Sequence, residues 1–514
     1  MPLRFSFAGP ARAWRGAVPL AALLLTACAT DELALAPASP AQPWGLPPSR
    51  DALPAPGTQA ATAPAARPEA AMSGWATIDR TEPDRGNAVP IDPKRRYDLS
   101  ALIDLAQRNH PETREAWERA RQAALAVGLV ETSYVPQISA EIVGGFQHTP
   151  LPVPTSLIPQ GYFTSDTREL VPTLTAKWLL FDFGQRAGAE QAARSNAFVA
   201  HVAFTGVHQK LIFEVSRDYF ALGAARGRLR VAQQALKSAQ VIEDATATRR
   251  SHGLATVVEL AQARRQVAQA RFNLERATGA EHGAYAALIA SVGIAPSTYV
   301  ETSDSSEQPL PSVPSGDVDQ FVRDALVNRP DIVATLGKLR AAEAGLIGAR
   351  ASYYPTVGLE AQAYQNVGAL STQGSRYYSV NEPGANVLLK LSLPLYDGGA
   401  RDARLAAARS EIAAAHASLD KAQDTAVQQV NDAYDGLRTS FAEYTAALPL
   451  NDAAQTAYDA ALDAYRHGVG TFTDLANDET ALSQAQSEKE DAHANVFTAA
   501  AALAFATGAI VPPQ

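Results

Sequence analysis

Residues 393–399 read LPLYDGG; they close an alternating segment, NVLLKLSLPL at 386–395. A run rich in alanine and charge follows at once, RDARLAAARSEIAAAHASLDKAQ. A second version of the junction, LLFDFGQ at 179–185, is followed by a similar run, RAGAEQAARSNAFVAHVAF. Asp182 and Asp397 are 215 positions apart (397 minus 182). Other landmarks recur in the same order. NHPET at 109–113 pairs with NRPDI at 328–332, and SYVPQISAEI with SYYPTVGLEA at an offset of 219 (Pro355 minus Pro136). VSRDYF pairs with VNDAYD, SHGLATVVEL at 251–260 with RHGVGTFTDL at 466–475, and Gly293 with Gly508. The chain is an internal duplication, and the four residues lost between the offsets fall where a loop can shorten freely.

Each half reads helix, strand, loop, strand, very long helix, sharp break, long helix. Two-residue alternation predicts the strands. Val387, Leu389, Leu391, Leu393 and Leu395 share one face against Asn386, Lys390 and Ser392. Leu174, Ala176, Trp178 and Leu180 oppose Thr173, Thr175 and Lys177; Val357, Leu359, Ala361 and Ala363 oppose Thr356, Glu360 and Gln362. QISAEIV at 137–143 is the least regular. Segments near ten residues, apolar on one face and polar on the other, form the wall of a transmembrane β-barrel. A half-solvated sheet in a soluble protein would alternate in the same way, so pattern alone leaves both open. Between Gly399 and His467 only Pro449 interrupts a helix, and it should bend rather than end it. Val427, Tyr434, Phe441 and Leu448 recur in sevens, as do Leu405, Ile412 and Leu419, a spacing that packs helices side by side. Such a helix of roughly 65 residues spans on the order of 100 Å.

Two strands per half make four per chain, and four cannot close a membrane barrel, whose smallest form has about eight. Open edges in lipid cost several kcal/mol per unpaired N–H or C=O, so copies must share one barrel. Two copies would supply eight strands and three would supply twelve; physics permits both. The junctions Asp182, Gly184, Asp397, Gly398 and Gly399 are then where a strand ladder becomes a helix. The carboxylate can cap the first free N–H groups, and glycine takes the unusual backbone angles.

Bulk properties agree. The 514 residues carry a formal charge of −9, against a nucleic-acid partner. Residues 1–27 carry Arg4, Arg12 and Arg15 ahead of a short apolar core, the layout of a secretory signal. The signal ends in LTAC, which resembles a lipobox, and Cys28 is the only cysteine. A thiol-free mature chain suits an oxidising periplasm. Residues 28–97, with nine prolines between 31 and 70, read as a mobile tether. The first repeat covers 98–300, the polar linker 301–318, the second repeat 319–510 and a tail 511–514. No phosphate loop, nucleophile elbow or metal-ligand cluster appears, so neither catalysis, a cofactor nor a metal is expected.

The order of elements, the YDGG junction, the NRPDI segment, the HGVGTFTDL turn and the lipobox together resemble the outer-membrane efflux protein family, the TolC-like ducts, over residues 98–510. The resemblance implies a mostly α fold with a small β part. Coiled-coil helices would form a periplasmic α-barrel below a shared twelve-stranded barrel of a homotrimer, with a belt built from the linker and termini. It further implies an acylated Cys28, outer-membrane lipid around the strands, a periplasmic adaptor protein and a proton-driven inner-membrane pump. The cargo would be small toxic compounds; a duct for type I protein secretion and a passive periplasmic coiled-coil scaffold are the alternatives. The turns with His252, Gly253 and Leu254 and with His467, Gly468, Val469 and Gly470 would meet the adaptor, though each also reads as a plain helix-hairpin turn. Family members often carry an Asp that lines the closed tunnel tip, within L-L-D-A. Here the matching position is Asn477, flanked by Asp474 and Asp478, so any of the three could form the constriction, or the acids could simply complement a helix N-terminus. The loops at 147–170 and 366–385 are expected to face outward.

Overall fold

The computed structural model describes residues 37, 39–41, 91–92, 95–295, 298–306, 308–313, 316–372 and 374–510. Cys28, the expected signal segment, most of the expected tether and the tail lie outside the described residues. The first half comprises β1 (Arg96–Tyr97), α1 (Leu99–Asn109), α2 (Pro111–Glu131), β2 (Gln137–Pro152), β3 (Tyr162–Phe181), α3 (Gln185–Ser251) and α4 (Val257–Val292). The second comprises β4 (Glu301–Thr302), α5 (Val318–Asn328), α6 (Pro330–Ala351), β5 (Thr356–Thr372), β6 (Tyr378–Ser392), α7 (Ala400–Arg466) and α8 (Phe472–Ala506). The fold is mostly helical with a small antiparallel sheet, and α3 and α7 have 67 residues each. Pro449 sits inside α7, whose helix continues to Arg466.

Contacts divide the chain into two compact units, each drawing on both halves. The first, residues 122–198 and 337–417, holds the sheet β2-β3-β5-β6. Every pair in it is antiparallel, and β3–β5 joins the hairpins of the two halves. Lys177 stands opposite Glu360 across that seam, an oppositely charged pair on the polar face. Apolar side chains of the other face, among them Ile138, Ile142, Val387 and Leu391, are exposed, and Leu389 is 70% exposed. The strands have 15 to 20 residues rather than about ten. The expected loops at 147–170 and 366–385 shrink to 153–161 and 373–377, because ladder pairs such as His148–Asp166 and Gly368–Val380 continue the hairpins. Backbone pairing needs no apolar alternation, so a polar, proline-containing stretch such as HTPLP concealed it. In the same unit α3 and α6 approach closely at Gly188. A Cβ there would lie 2.7 Å from Gly348 N and 2.8 Å from Ala344 O.

The second unit comprises 199–336, 418–510 and the described residues up to Arg121. Its core gathers Leu102, Val215, Leu222, Leu288, Ile289 and Val292, all essentially excluded from solvent. Asp98 starts α1 by accepting from Ala101 N at 2.8 Å. Beside it β1 pairs in parallel with β4, so the linker docks on the segment before the first repeat, and Arg96 meets Glu301 at 2.8 Å. Part of the expected tether is docked too: Trp117 Nε1 donates to Pro37 O at 2.7 Å. The NRPDI motif acts as a clamp. Arg329 donates to Ala506 O at 3.0 Å, to Asp331 at 2.7 Å and to Gln429 at 2.7 Å, while Gly508 packs on Asn328. Its counterpart repeats this with smaller means, Gly293 packing on His110. On α7 the buried row is Ala426, Val430, Leu437, Ser440 and Ala447. The larger row at 427, 434, 441 and 448 flanks it half-buried or exposed, because small side chains let helices approach.

Candidate functional site

The two strand–helix junctions are built alike. Asp182 accepts from Arg186 N at 2.7 Å and Arg186 Nε at 3.0 Å; Asp397 accepts from Arg401 N at 3.1 Å and Arg401 Nε at 2.9 Å. The carboxylate thus satisfies an amide of the first helical turn and holds an arginine four residues on. Each arginine lies over the tyrosine of the Tyr-Pro break, Arg186 on Tyr134 at 4.6 Å and Arg401 on Tyr353 at 5.3 Å. Arg186 also donates to the carbonyls of Ser133, Leu179 and Leu180. Gly184, Gly398 and Gly399 adopt left-handed φ values of 105°, 67° and 86°. Phe183, which matches Gly398, does so at 54°, stacked 5.6 Å from Tyr354. Sequence reading missed both arginines, although an Arg four residues after each junction Asp was visible.

At the helix turns the structure brings the two predicted loops together. His252, Gly253 and Leu254 are exposed, as are His467, Gly468 and Val469; Gly470 is half-buried against Ala464 and Tyr465. Gly253 and Gly468 take φ values of 77° and 78°. Leu254 N donates to Arg249 O and Val469 N to Ala464 O, closing both helix ends through left-handed glycines. Between the turns, Arg249 donates to Tyr465 O at 2.5 Å, and Tyr465 hydroxyl meets Thr246 at 2.8 Å inside a cluster with Ile242, Ala263, Phe472 and Leu475. His467 Nδ1 contacts Asp463 O at 2.8 Å.

The segment after the second turn separates its acids. Thr471 caps Asp474 N at 3.2 Å and donates to Asp474 Oδ2 at 2.7 Å, mirroring the Thr256–Glu259 capping box that starts α4. Asp474 and Asn477 are exposed and Asp478 is half-buried. Glu479, not singled out from sequence, is only 4% exposed. Burial pushes its carboxyl up to about 7 against a hydrogen bond from Gln266, and its Oε2 has no hydrogen-bond partner. Its signal was present only as the third of four polar residues in a row, NDET, where a helix cannot keep every side chain in water.

The comparisons agree with this architecture. The family model described as outer membrane efflux protein matches residues 102–294 and 321–509. Protein CyaE of Bordetella pertussis is 30% identical over 444 residues, covering 85% of this chain and 91% of that protein. Cation efflux system protein CusC of Escherichia coli K12 is 24% identical over 388 residues, 75% and 80% of the two chains. Among solved structures, CusC superposes with a TM-score of 0.68 at 22% identity, covering 80% of this chain and 92% of that one. The Campylobacter jejuni CmeC outer membrane channel gives 0.70 at 18% identity, covering 80% and 85%. These matches span both repeats: the chain belongs to the outer membrane efflux protein family, non-enzymatic channel proteins of the Gram-negative outer membrane.

Proposed function

We propose that three copies of this chain form the exit duct of a tripartite efflux system that carries small toxic compounds across the periplasm and outer membrane. One observation carries the reading. The four-stranded sheet leaves one side of β2 and one side of β6 unpaired among the described residues, and its apolar face is exposed. Sister chains would complete the barrel, and lipid would cover that face. A passive coiled-coil scaffold has no use for such a sheet. In this reading Cys28 is acylated, and the turns at 252–254 and 467–470 receive a periplasmic adaptor coupled to a proton-driven inner-membrane pump. Asp474, Asn477 and Asp478 supply the constriction. Efflux of small cargo is supported by the names of the relatives, a cation efflux protein and, in Pseudomonas putida, a probable efflux pump outer membrane protein.

Deleting the gene and measuring antibiotic and metal susceptibility beside the secreted proteome tests the cargo. Sensitisation with an unchanged secretome is expected. Loss of a secreted protein with unchanged susceptibility would replace the reading with a type I secretion duct. For the constriction, D474A/D478A should raise single-channel conductance in planar bilayers, and unchanged conductance would remove both from it.

A further inference from the structure

The two repeats meet inside one chain along a seam in which β3 pairs with β5 and α3 lies against α6. Glycine sets the spacing of the helices: a Cβ on Gly188 would stand 2.7 Å from Gly348 N and 2.8 Å from Ala344 O, so the two backbones touch. The outer strands of the sheet, β2 and β6, have one open side each among the described residues. They are the repeat counterparts of β5 and β3. The offset of 219 carries β5 and α6 back to β2 and α2, and the offset of 215 carries β3 and α3 forward to β6 and α7. The loops 153–161 and 373–377 absorb the difference of four residues. Gly188 therefore corresponds to Ala403, while Gly348 and Ala344 correspond to Leu129 and Leu125. Ala344 is buried in the seam within the chain, yet Leu129 is 74% exposed, Leu125 is 44% exposed, and Ala403 and Ala407 are bare.

We infer that a second copy of this chain covers Leu125 and Leu129 of α2 with the first turns of its α7, seating the two leucines against Ala403 and Ala407. The strand register supports the fit. Carried through the offsets, the pair Ala176–Ala361 of the chain's own seam becomes Leu391 of one copy opposite Ile142 of the next. Both side chains are exposed on the apolar face, and a slip of one residue would set that face against the polar one. Acyl chains alone would cover the leucines but leave the open sides of β2 and β6 without hydrogen bonds, which hydrocarbon does not tolerate. The patches on α2 and α7 are different surfaces, so the contact is heterologous and repeats head to tail until a ring closes. The two seams also differ in kind. Within the chain, backbone rests on backbone at Gly188; between copies, leucine meets alanine, and the contact is made by side chains. This deepens the shared-barrel reading above by naming the surfaces that meet, and it rests on that reading.

The test is made in outer membranes on full-length chains carrying two different affinity tags. One chain bears L129C and the other A403C; a short bismaleimide links them before denaturation by boiling. Cys28 is the only native cysteine, so the unaltered protein and each single variant supply the background. The mixed-tag dimer should exceed about tenfold that obtained from R114C with A403C, because Arg114 and Leu129 lie roughly 22 Å apart along α2. L125C with A403C should match the first pair, and it reports independently if L129C fails to assemble. Both cysteines in one chain should give a ladder that stops at the copy number of the ring. A mixed dimer no more abundant than the R114C control from either leucine position, or a doubly substituted chain that links only to itself, would overturn the seam. The heat-sensitive multimer of the unaltered protein separates the two claims. A multimer without the specific cross-link keeps the shared barrel and ends this seam; no multimer at all ends the shared barrel, and the seam with it.

Discussion

Asp182 and Asp397 perform the same task with different consequences. Asp182 and Arg186 are both about nine-tenths buried at the side chain, whereas the Asp397 pair is more open to water. Removing one member of a buried pair strands the other, so D182A should cost about 3 kcal/mol of unfolding free energy in denaturant titrations. D397A should cost less. G398A meets nothing within 4 Å, so its penalty is conformational only, about 1 kcal/mol for a left-handed alanine. Phe183 already bears that penalty, offset by its stack on Tyr354. Three buried titratable groups set the pH dependence of stability. Burial lowers His201 and His208 to about 4, so their contribution is present above the unfolded value near 6.5 and is lost as pH falls from there toward 4. Glu479, raised to about 7, contributes in the opposite sense, fully below about 4.5 and lost as pH rises through 7. Between these limits the two histidines outweigh the one carboxyl, so stability should rise from about pH 4.5 and level off near pH 7. In unfolding titrations across pH, E479Q should steepen the rise between about pH 4.5 and 6.5, and H201N/H208N should remove it.

At the scale of elements, helix propensity and packing pull in opposite directions. Alanine favours helix over glycine by about 1 kcal/mol, so G279A on α4, where a Cβ meets nothing within 4 Å, should stabilise by about that much. G188A on α3 should do the opposite, losing about 3 kcal/mol, since its Cβ runs into the backbone of α6, which cannot rotate away. Thermal melts of the two variants check the sign. Sequence patterning found the long helices, because a period near 3.5 persists over many turns. It placed the α7 seam one residue off, since it followed the large side chains while the seam is made by Ala426, Ser440 and Ala447. The strand termini escaped for a related reason: ladder hydrogen bonds belong to the backbone, and side-chain alternation reports only where one face meets an apolar phase.

For the whole molecule, the sheet decides what the chain needs around it. Replacing Leu389 on the exposed apolar face should cost about 2 kcal/mol as L389R if that face meets hydrocarbon, and almost nothing if it meets water. Refolding titrations into lipid vesicles distinguish these outcomes. A chain that must share its barrel should run on gels as a heat-sensitive trimer, and a monomer that still conducts ions would end the case for sister chains.

The duplication, the two kinds of periodicity and the four-strand total were all legible in the linear order. These follow from local rules: which side chains share a face, and which residue types end a strand or a helix. Only the tertiary structure decided that β3 pairs with β5, that Arg186 settles on Tyr134, that Arg329 clamps the end of α8, and that Glu479 rather than its acidic neighbours leaves the solvent. Each of those depends on residues tens to hundreds of positions away, and no local period records which of several chemically equivalent side chains a distant helix will cover.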